Sequence, residues 1–350
     1  MNSLKINKNK ELLTKSLKEM GFKDNQIDYF LNINYRVFDD YKEFNDDKFL
    51  QYYDAYIKLV TSEQKLSLND FFSEVGENFK GFLKSKNLTL EDAYALKFWS
   101  SHFYKDILRF KRSLSPSLKV KDMILNDLEN ELDGLSVDLT ISQKEKIMHF
   151  ARNINLSTPQ FDFWENVRNF SKEIGLEKIS ILGTLERFRI MMRDIEKAIN
   201  SLDKVTKSRI EENTVLYRGI SSINKKFDSI NELLGLSLDE IGYTSTSLTH
   251  KASFASRDAY PYCIEIYAPK GTECFDITPF SKYYRENEFL LAPNQLLIFD
   301  VDANYVDIYG SQKTMLRALA ISKNKECYNN TKLEKNIIND EEFFDGKQWK

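Results

Sequence analysis

Cysteine is scarce. The 350 residues hold three, Cys263, Cys274 and Cys327, with no CxxC pair and no histidine at ligand spacing from any of them. Neither a disulfide framework nor a zinc site is suggested, so no metal is expected and a reducing compartment is. Histidine is as rare, with His102, His149 and His250 scattered along the chain. Long apolar runs are absent: none approaches the roughly 18 residues that would cross a bilayer. The start, Met1-Asn2-Ser3-Leu4-Lys5, runs into lysines with no apolar stretch and no small-residue cleavage site, so no signal peptide is seen. These features together predict action in a cytoplasm, the cell's own or a host's, and no membrane partner. Charge of one sign is lacking too. Fifty Lys and Arg against 53 Asp and Glu leave a net charge of -3, which gives no global electrostatic case for nucleic acid.

What is present is enough for a core. Apolar residues make up 42% and charged residues 29%, which argues against wholesale disorder. The length is that of two domains, or of one large domain with an appendage.

Proline divides the chain. Only Pro116 and Pro159 precede residue 260, whereas Pro261, Pro269, Pro279 and Pro293 follow closely. Up to about residue 205 apolar residues recur at helical spacing, as in Leu12, Leu13, Leu17 and Met20, or Tyr94, Leu96, Phe98, Trp99 and Phe103. Thr89-Leu90-Glu91-Asp92 and Ser142-Gln143-Lys144-Glu145 read as capping boxes, and Thr158-Pro159 as a helix start. A long amphipathic helix is expected from Ile181 to Leu202. Beyond residue 210 the period becomes 2, predicting strands at 214–218, 241–247, 262–268, 287–292, 296–301 and 315–322, with a short helix at 251–256 capped by Thr249. Helices first and strands second, without βαβ alternation, predict an α+β fold. Residues 1–87 read as a helical N-terminal region rich in Tyr and Phe, among them Tyr29, Phe30, Tyr35, Phe38, Tyr52 and Tyr53. It packs on the core or binds a partner or delivery component. Residues 326–350 read as a polar tail.

Three segments of the strand-rich part could carry chemistry. Val215-Leu216-Tyr217-Arg218-Gly219 ends a strand in a guanidinium that can pair with a carboxylate or a phosphate. Gly219 after it permits close backbone approach or opens a turn. Thr244-Ser245-Thr246-Ser247 offers hydroxyls on both faces of a strand, either as an ordinary β-edge or as a row that orients a ligand. Glu286-Asn287-Glu288 opens another strand. Two residues of rise would place both carboxylates on one face, about 7 Å apart. Paired acids are often a solvated edge, yet they also suit glycosidic-bond chemistry.

In this order, Arg218, then Ser245-Thr246-Ser247, then Glu286-x-Glu288, the chain resembles the R-S-E (clostridial-toxin-like) class of mono-ADP-ribosyltransferases. The flanks Ile195–Ile199, Ala95–Trp99 and Tyr104–Arg109 are similar to that family's helices. The resemblance covers 88–325, sharply at 214–293, and 113–180 reads as an insertion. It implies a split antiparallel sheet that clasps NAD as co-substrate. Arg218 would hold an NAD phosphate, and the Gly219 backbone the nicotinamide carboxamide. In the same reading Ser245, with Thr246 and Ser247 beside it, would orient Glu288, and Glu288 would stabilise the ribose cation as nicotinamide departs. Glu286 would act on the incoming nucleophile, which for an acid at this position implies an arginine on a target protein. Phe254 would stack on nicotinamide, Arg257 would contact phosphate and Tyr283 would recognise the target. Asp106 stands where that pattern has Asn. The alternatives are an NAD glycohydrolase toxin, a transferase acting on nucleic acid through Lys119–Lys121 and Lys204–Arg209, and a non-enzymatic binding module.

Overall fold

The computed structural model describes residues 2–38, 77–101, 103–113, 120–134, 139–176, 181–223, 228–240, 242–281, 286–323 and 328. The N-terminal part runs β1 (Asn2–Leu4), α1 (Lys10–Glu19), α2 (Asp24–Asn32) and β2 (Tyr35–Val37). Strands at both ends are a departure from the all-helical reading: Tyr35 and Val37 alternate inward from β2, the pattern of a half-buried strand. A helical layer follows, with α3 (Glu77–Ser85), α4 (Leu90–Trp99), α5 (Tyr104–Ser113), α6 (Val120–Asp133), α7 (Ile141–Arg152), α8 (Gln160–Glu173) and α9 (Leu182–Val205). The strands are β3 (Thr214–Ile220), β4 (Ser237–Glu240), β5 (Thr244–Ser247), β6 (Tyr262–Ala268), β7 (Cys274–Asp276), β8 (Glu288–Leu291), β9 (Asn294–Val306) and β10 (Gln312–Ser322). None of the helices in the described residues is long and apolar enough to cross a membrane.

Helix α4 places the site. Thr89 Oγ1 accepts from the Asp92 amide, and Asp92 Oδ2 accepts from the Thr89 amide at 2.9 Å, the capping box expected there. The helix is buried on almost every side, including Asp92, Tyr94, Leu96, Phe98 and Trp99. Two bonds tie it to α9: Lys204 Nζ to Asp92 Oδ2 at 2.5 Å, and the Tyr94 hydroxyl to Asp194 Oδ2 at 2.8 Å. The box expected at Ser142 is instead formed by Thr140 with Gln143, two residues earlier, because Thr140-Ile141-Ser142-Gln143 satisfies the same pattern. Pro159, rather than Thr158, is the cap residue of α8.

The sheet order is β4-β9-β10-β6-β3-β5-β8-β7. Neighbours are antiparallel except β6 and β10, and β2 adds a single parallel pair to β3, Arg36 with Thr214. The sheet is split. A single residue pair, Tyr217 with Ser247, joins β3 to β5. One half is β4-β9-β10-β6-β3 and the other β5-β8-β7, with Leu216, Ile264, Ile298, Leu316 and Leu291 buried in a shared cluster. A second cluster joins Leu13, Leu17, Phe22, Phe30 and Tyr35 of the N-terminal part to Val215, Tyr267, Phe299 and Leu319 of the sheet. The third unites the helical layer with Tyr243, Phe280 and Leu290. The architecture is therefore α+β, with a split, largely antiparallel sheet and a helical region before it.

Candidate active site

Strands β5 and β8 build the site by alternation. Thr244 and Thr246 point into the protein: Thr246 Oγ1 donates to the Phe289 carbonyl at 2.8 Å, and Thr244 Oγ1 accepts from Asn294 Nδ2 at 3.2 Å. Ser245 and Ser247 lie on the opposite face. Register pairs Ser247 with Glu288 and Ser245 with Leu290, so Ser245 and Glu288 are diagonal neighbours on one face. The Ser245 hydroxyl donates to Glu288 Oε1 at 2.5 Å. A second donor reaches the same oxygen from the helical layer, Trp99 Nε1 at 3.2 Å.

Glu288 is a buried carboxylate, 8% exposed. Burial raises its pKa to about 7, the bonds from Ser245 and Trp99 oppose the rise, and the charge of Glu286 adds to it. Its ionisation is thus poised near neutrality, a feature of catalytic acids and bases.

Glu286 does not sit as alternation predicts. Asn287 between the two acids has φ 45°, in the left-handed region, and Glu288 rather than Asn287 opens the strand. The residue expected to be extended is a turn, so the same-face argument for the two carboxylates does not apply. Glu286 instead meets Arg257, whose Nη2 lies 2.9 Å from Oε1. Burial raises the Glu286 pKa and Arg257 offsets part of the rise.

The loop carrying Arg257 is itself held. Lys313 Nζ donates to the carbonyls of Ala255 at 2.6 Å and Arg257 at 2.9 Å, and pairs with Asp307 at 3.2 Å, both side chains being buried. Ser311 Oγ adds a bond to Asp258 at 2.7 Å. Phe254 opens the short 3-10 turn Phe254–Ser256 that replaces the helix expected at 251–256, and Thr249 Oγ1 does cap this segment, accepting from the Ala252 amide. Tyr283 lies outside the described residues.

Arg218 is half-buried in β3, next to the Tyr217 that bridges Ser247. Gly219 pairs with Cys263 of β6 on one edge, while the ladder to β5 does not extend to it. The structure thus joins Ser245 to Glu288 and Glu286 to Arg257, and sets Arg218 and Gly219 on the adjoining strand. Asp106 is buried and bonded by Arg109 and Arg187. Among the described residues no group of three or more His, Cys, Asp or Glu could hold a metal ion.

Residues 184–324, which contain all of these strands from β3 to β10, match the sequence profile of the ADP-ribosyltransferase exoenzyme family. This match covers less than half of the chain. No curated protein matches the sequence. Among solved structures, Plx2a, an ADP-ribosyltransferase toxin from Paenibacillus larvae, is similar at 22% identity, covering 58% of this chain and 96% of that one with a TM-score of 0.30. C3stau2 from S. aureus with NAD is similar at 14% identity, covering 83% and 99% with a TM-score of 0.39. The ADP-ribosyltransferase HopU1 of Pseudomonas syringae pv. Tomato DC3000 is similar at 12%, covering 78% and 97% with a TM-score of 0.41.

One bond to Glu288 comes from outside the matched span, from Trp99. Trp99 lies 85 residues before residue 184, and its bond to Glu288 is not legible in the sequence, where it counts only as part of an apolar stripe. The available signal was chemical: a buried indole N–H must find an acceptor.

Proposed function

We propose that this protein is an NAD-dependent mono-ADP-ribosyltransferase that moves ADP-ribose from NAD to an arginine of a target protein. The observation that carries the reading is the Ser245–Glu288 bond on the β5–β8 pair, with Glu286 two residues before it. In this reading Arg218 holds an NAD phosphate. Gly219, whose edge toward β5 lies beyond the Tyr217 bridge, presents its backbone to the nicotinamide carboxamide. The same reading assigns Phe254 to nicotinamide, Arg257 to phosphate and Tyr283 to the target.

The chemistry follows from charge. The bond between nicotinamide and ribose C1′ breaks, and its electron pair leaves with nicotinamide, which becomes neutral. The ribose gains positive charge, and the ionised Glu288, bonded to the 2′-hydroxyl, stabilises it. A well-placed electrostatic partner of this kind contributes about 3 kcal/mol to the transition state. An arginine nitrogen then bonds to C1′ and its proton passes to Glu286. A protonated guanidinium is a poor nucleophile, and this step is what a second carboxylate is for.

Incubation with labelled NAD and a lysate, followed by mapping of the modified residue, tests the proposal. Label on arginine, absent with Glu288→Gln, is the expected result. Nicotinamide release without any labelled protein would move water to first place as acceptor.

A further inference from the structure

Two donors converge on one oxygen of Glu288. Among the described residues, both Ser245 Oγ and Trp99 Nε1 bond Oε1, and neither reaches Oε2. The donors are not equivalent. A serine hydroxyl rotates, and it can accept as well as donate; an indole N–H is fixed in its ring plane and donates only. The terminal torsion of a glutamate is broad and twofold, so one rotating hydroxyl leaves the carboxylate plane loosely set. A second, rigid donor sets it.

The indole is itself fixed on several sides. Trp99 is 2% exposed at the end of α4. Tyr243 packs edge-on against it, with centroids 5.5 Å apart and an interplanar angle of 89°, and Tyr104 does so at 6.3 Å and 64°. The Tyr243 hydroxyl lies 2.7 Å from Asp203 Oδ1 of α9, and Lys111 of α5 pairs with the same carboxylate at 2.5 Å. The two links from α4 to α9 described above fix the helix along its length. The packing thus runs from the helical layer to a single carboxylate oxygen.

Resting on the functional reading above, we propose that Trp99 is a positioning residue of this active site: its indole N–H fixes Oε1 of Glu288 and, with Ser245, turns Oε2 toward the ribose. The upstream helix then belongs to the catalytic unit, although the family match begins at residue 184. A donor-only group beside Oε1 also favours the ionised carboxylate, against the burial that disfavours it. Glu286 is the charged neighbour that acts in the opposite sense, raising the affinity of Glu288 for a proton.

The test uses the full chain and measures nicotinamide release from NAD against pH, with kcat and KM separated. Trp99→Phe keeps an aromatic ring and removes the donor. It is expected to lower kcat about tenfold or more, the scale of a hydrogen bond to a charged group. The KM for NAD should stay within about twofold. The acidic limb of the kcat profile should move to higher pH, because the ionised carboxylate has lost a donor. A Ser245→Ala background should show the two losses to be non-additive, since both donors act through one oxygen. If Trp99→Phe does not fold, the tryptophan analogue with sulfur in place of the indole N–H keeps the shape and makes the same comparison.

An unchanged kcat and limb overturns the proposal. So does a loss of kcat with no movement of the limb, which is what mere packing would give. Wild type and Glu288→Gln run alongside: if wild type releases no nicotinamide, or Glu288→Gln matches it, the functional reading fails and takes the role of Trp99 with it.

Discussion

Arg257 Nη2 lies 2.9 Å from Glu286 Oε1, an ion pair that joins the loop after β5 to the residue before the turn into β8. It assigns Glu286 surroundings unlike those of Glu288, which has a serine and an indole as partners. The acids should therefore separate by function. Glu286→Gln is predicted to abolish arginine modification and to spare most NAD hydrolysis, because water needs no carboxylate to strip a guanidinium. Nicotinamide release with and without an arginine acceptor checks this, and parallel loss of both activities refutes the division.

Glu288→Gln is predicted to lower both activities by about 10²-fold or more, the scale of losing one preorganised partner. NAD affinity should change little, since the interaction matters chiefly in the transition state. Calorimetric titration beside turnover measurements reads both. In wild type, hydrolysis should rise with pH through about 7 as Glu288 ionises.

The same carboxylate should weaken the fold at high pH. Its pKa is raised from 4.5 to about 7 in the native protein, so between these values the folded state holds a proton that the unfolded chain releases. Stability from this group is full below pH 4.5 and is lost as pH rises through 7. Glu288→Gln should accordingly be more stable than wild type at pH 8 by on the order of 3 kcal/mol. Urea unfolding at pH 5 and pH 8 reads the difference, which should shrink toward pH 5.

Asn287 should tolerate one replacement and not another. Its φ of 45° suits Asn or Gly and strains a β-branched side chain. Asn287→Gly is expected to keep nicotinamide release within a few-fold, and Asn287→Val to lower it sharply by displacing both flanking acids. Equal activity of the two variants would show that this turn does not place them.

Residues 2–38 should not be removable. They cover Val215, Tyr267, Phe299 and Leu319, and burying each such side chain stabilises by about 1.5–3 kcal/mol. Asn9 Nδ2 also bonds the Phe299 carbonyl at 2.7 Å, and Tyr29 bonds Asn213 at 3.0 Å. Loss of this segment is predicted to give insoluble protein or a large drop in melting temperature. A soluble fragment with native melting would contradict the shared core.

Much of this was legible in the sequence, for identifiable reasons. Alternation with flanking prolines marked β6 to the residue, and the apolar stripe marked α9 within three residues at its end. Strand β4 was missed because Ser237-Leu238-Asp239-Glu240 is a polar edge with one apolar residue, and β7 because three residues carry no period. Strand β9 runs past Val301 to Val306 because its far end is held by ladder pairs to β10, not by burial. Within the site, Ser245 and Glu288 were named from order along the chain. The Trp99–Glu288 bond spans 189 residues, and the turn at Asn287 is a backbone torsion, so neither has a local pattern to read.

The single rung between Tyr217 and Ser247 has a mechanical consequence. Ser245 and Glu288 share one ladder, and the cluster that holds Trp99 also holds Leu290, so these three ride together. Arg218 rides on the other body, anchored by the long ladder of β3 to β6. A rotation of one body against the other about that rung disrupts few backbone hydrogen bonds. We expect Arg218 to shift relative to Glu288 in this way, within the give of the buried cluster that both halves share, while the carboxylate and its donors keep their mutual geometry. Amide exchange on the β3–β5 seam, faster than within either ladder, would be its signature.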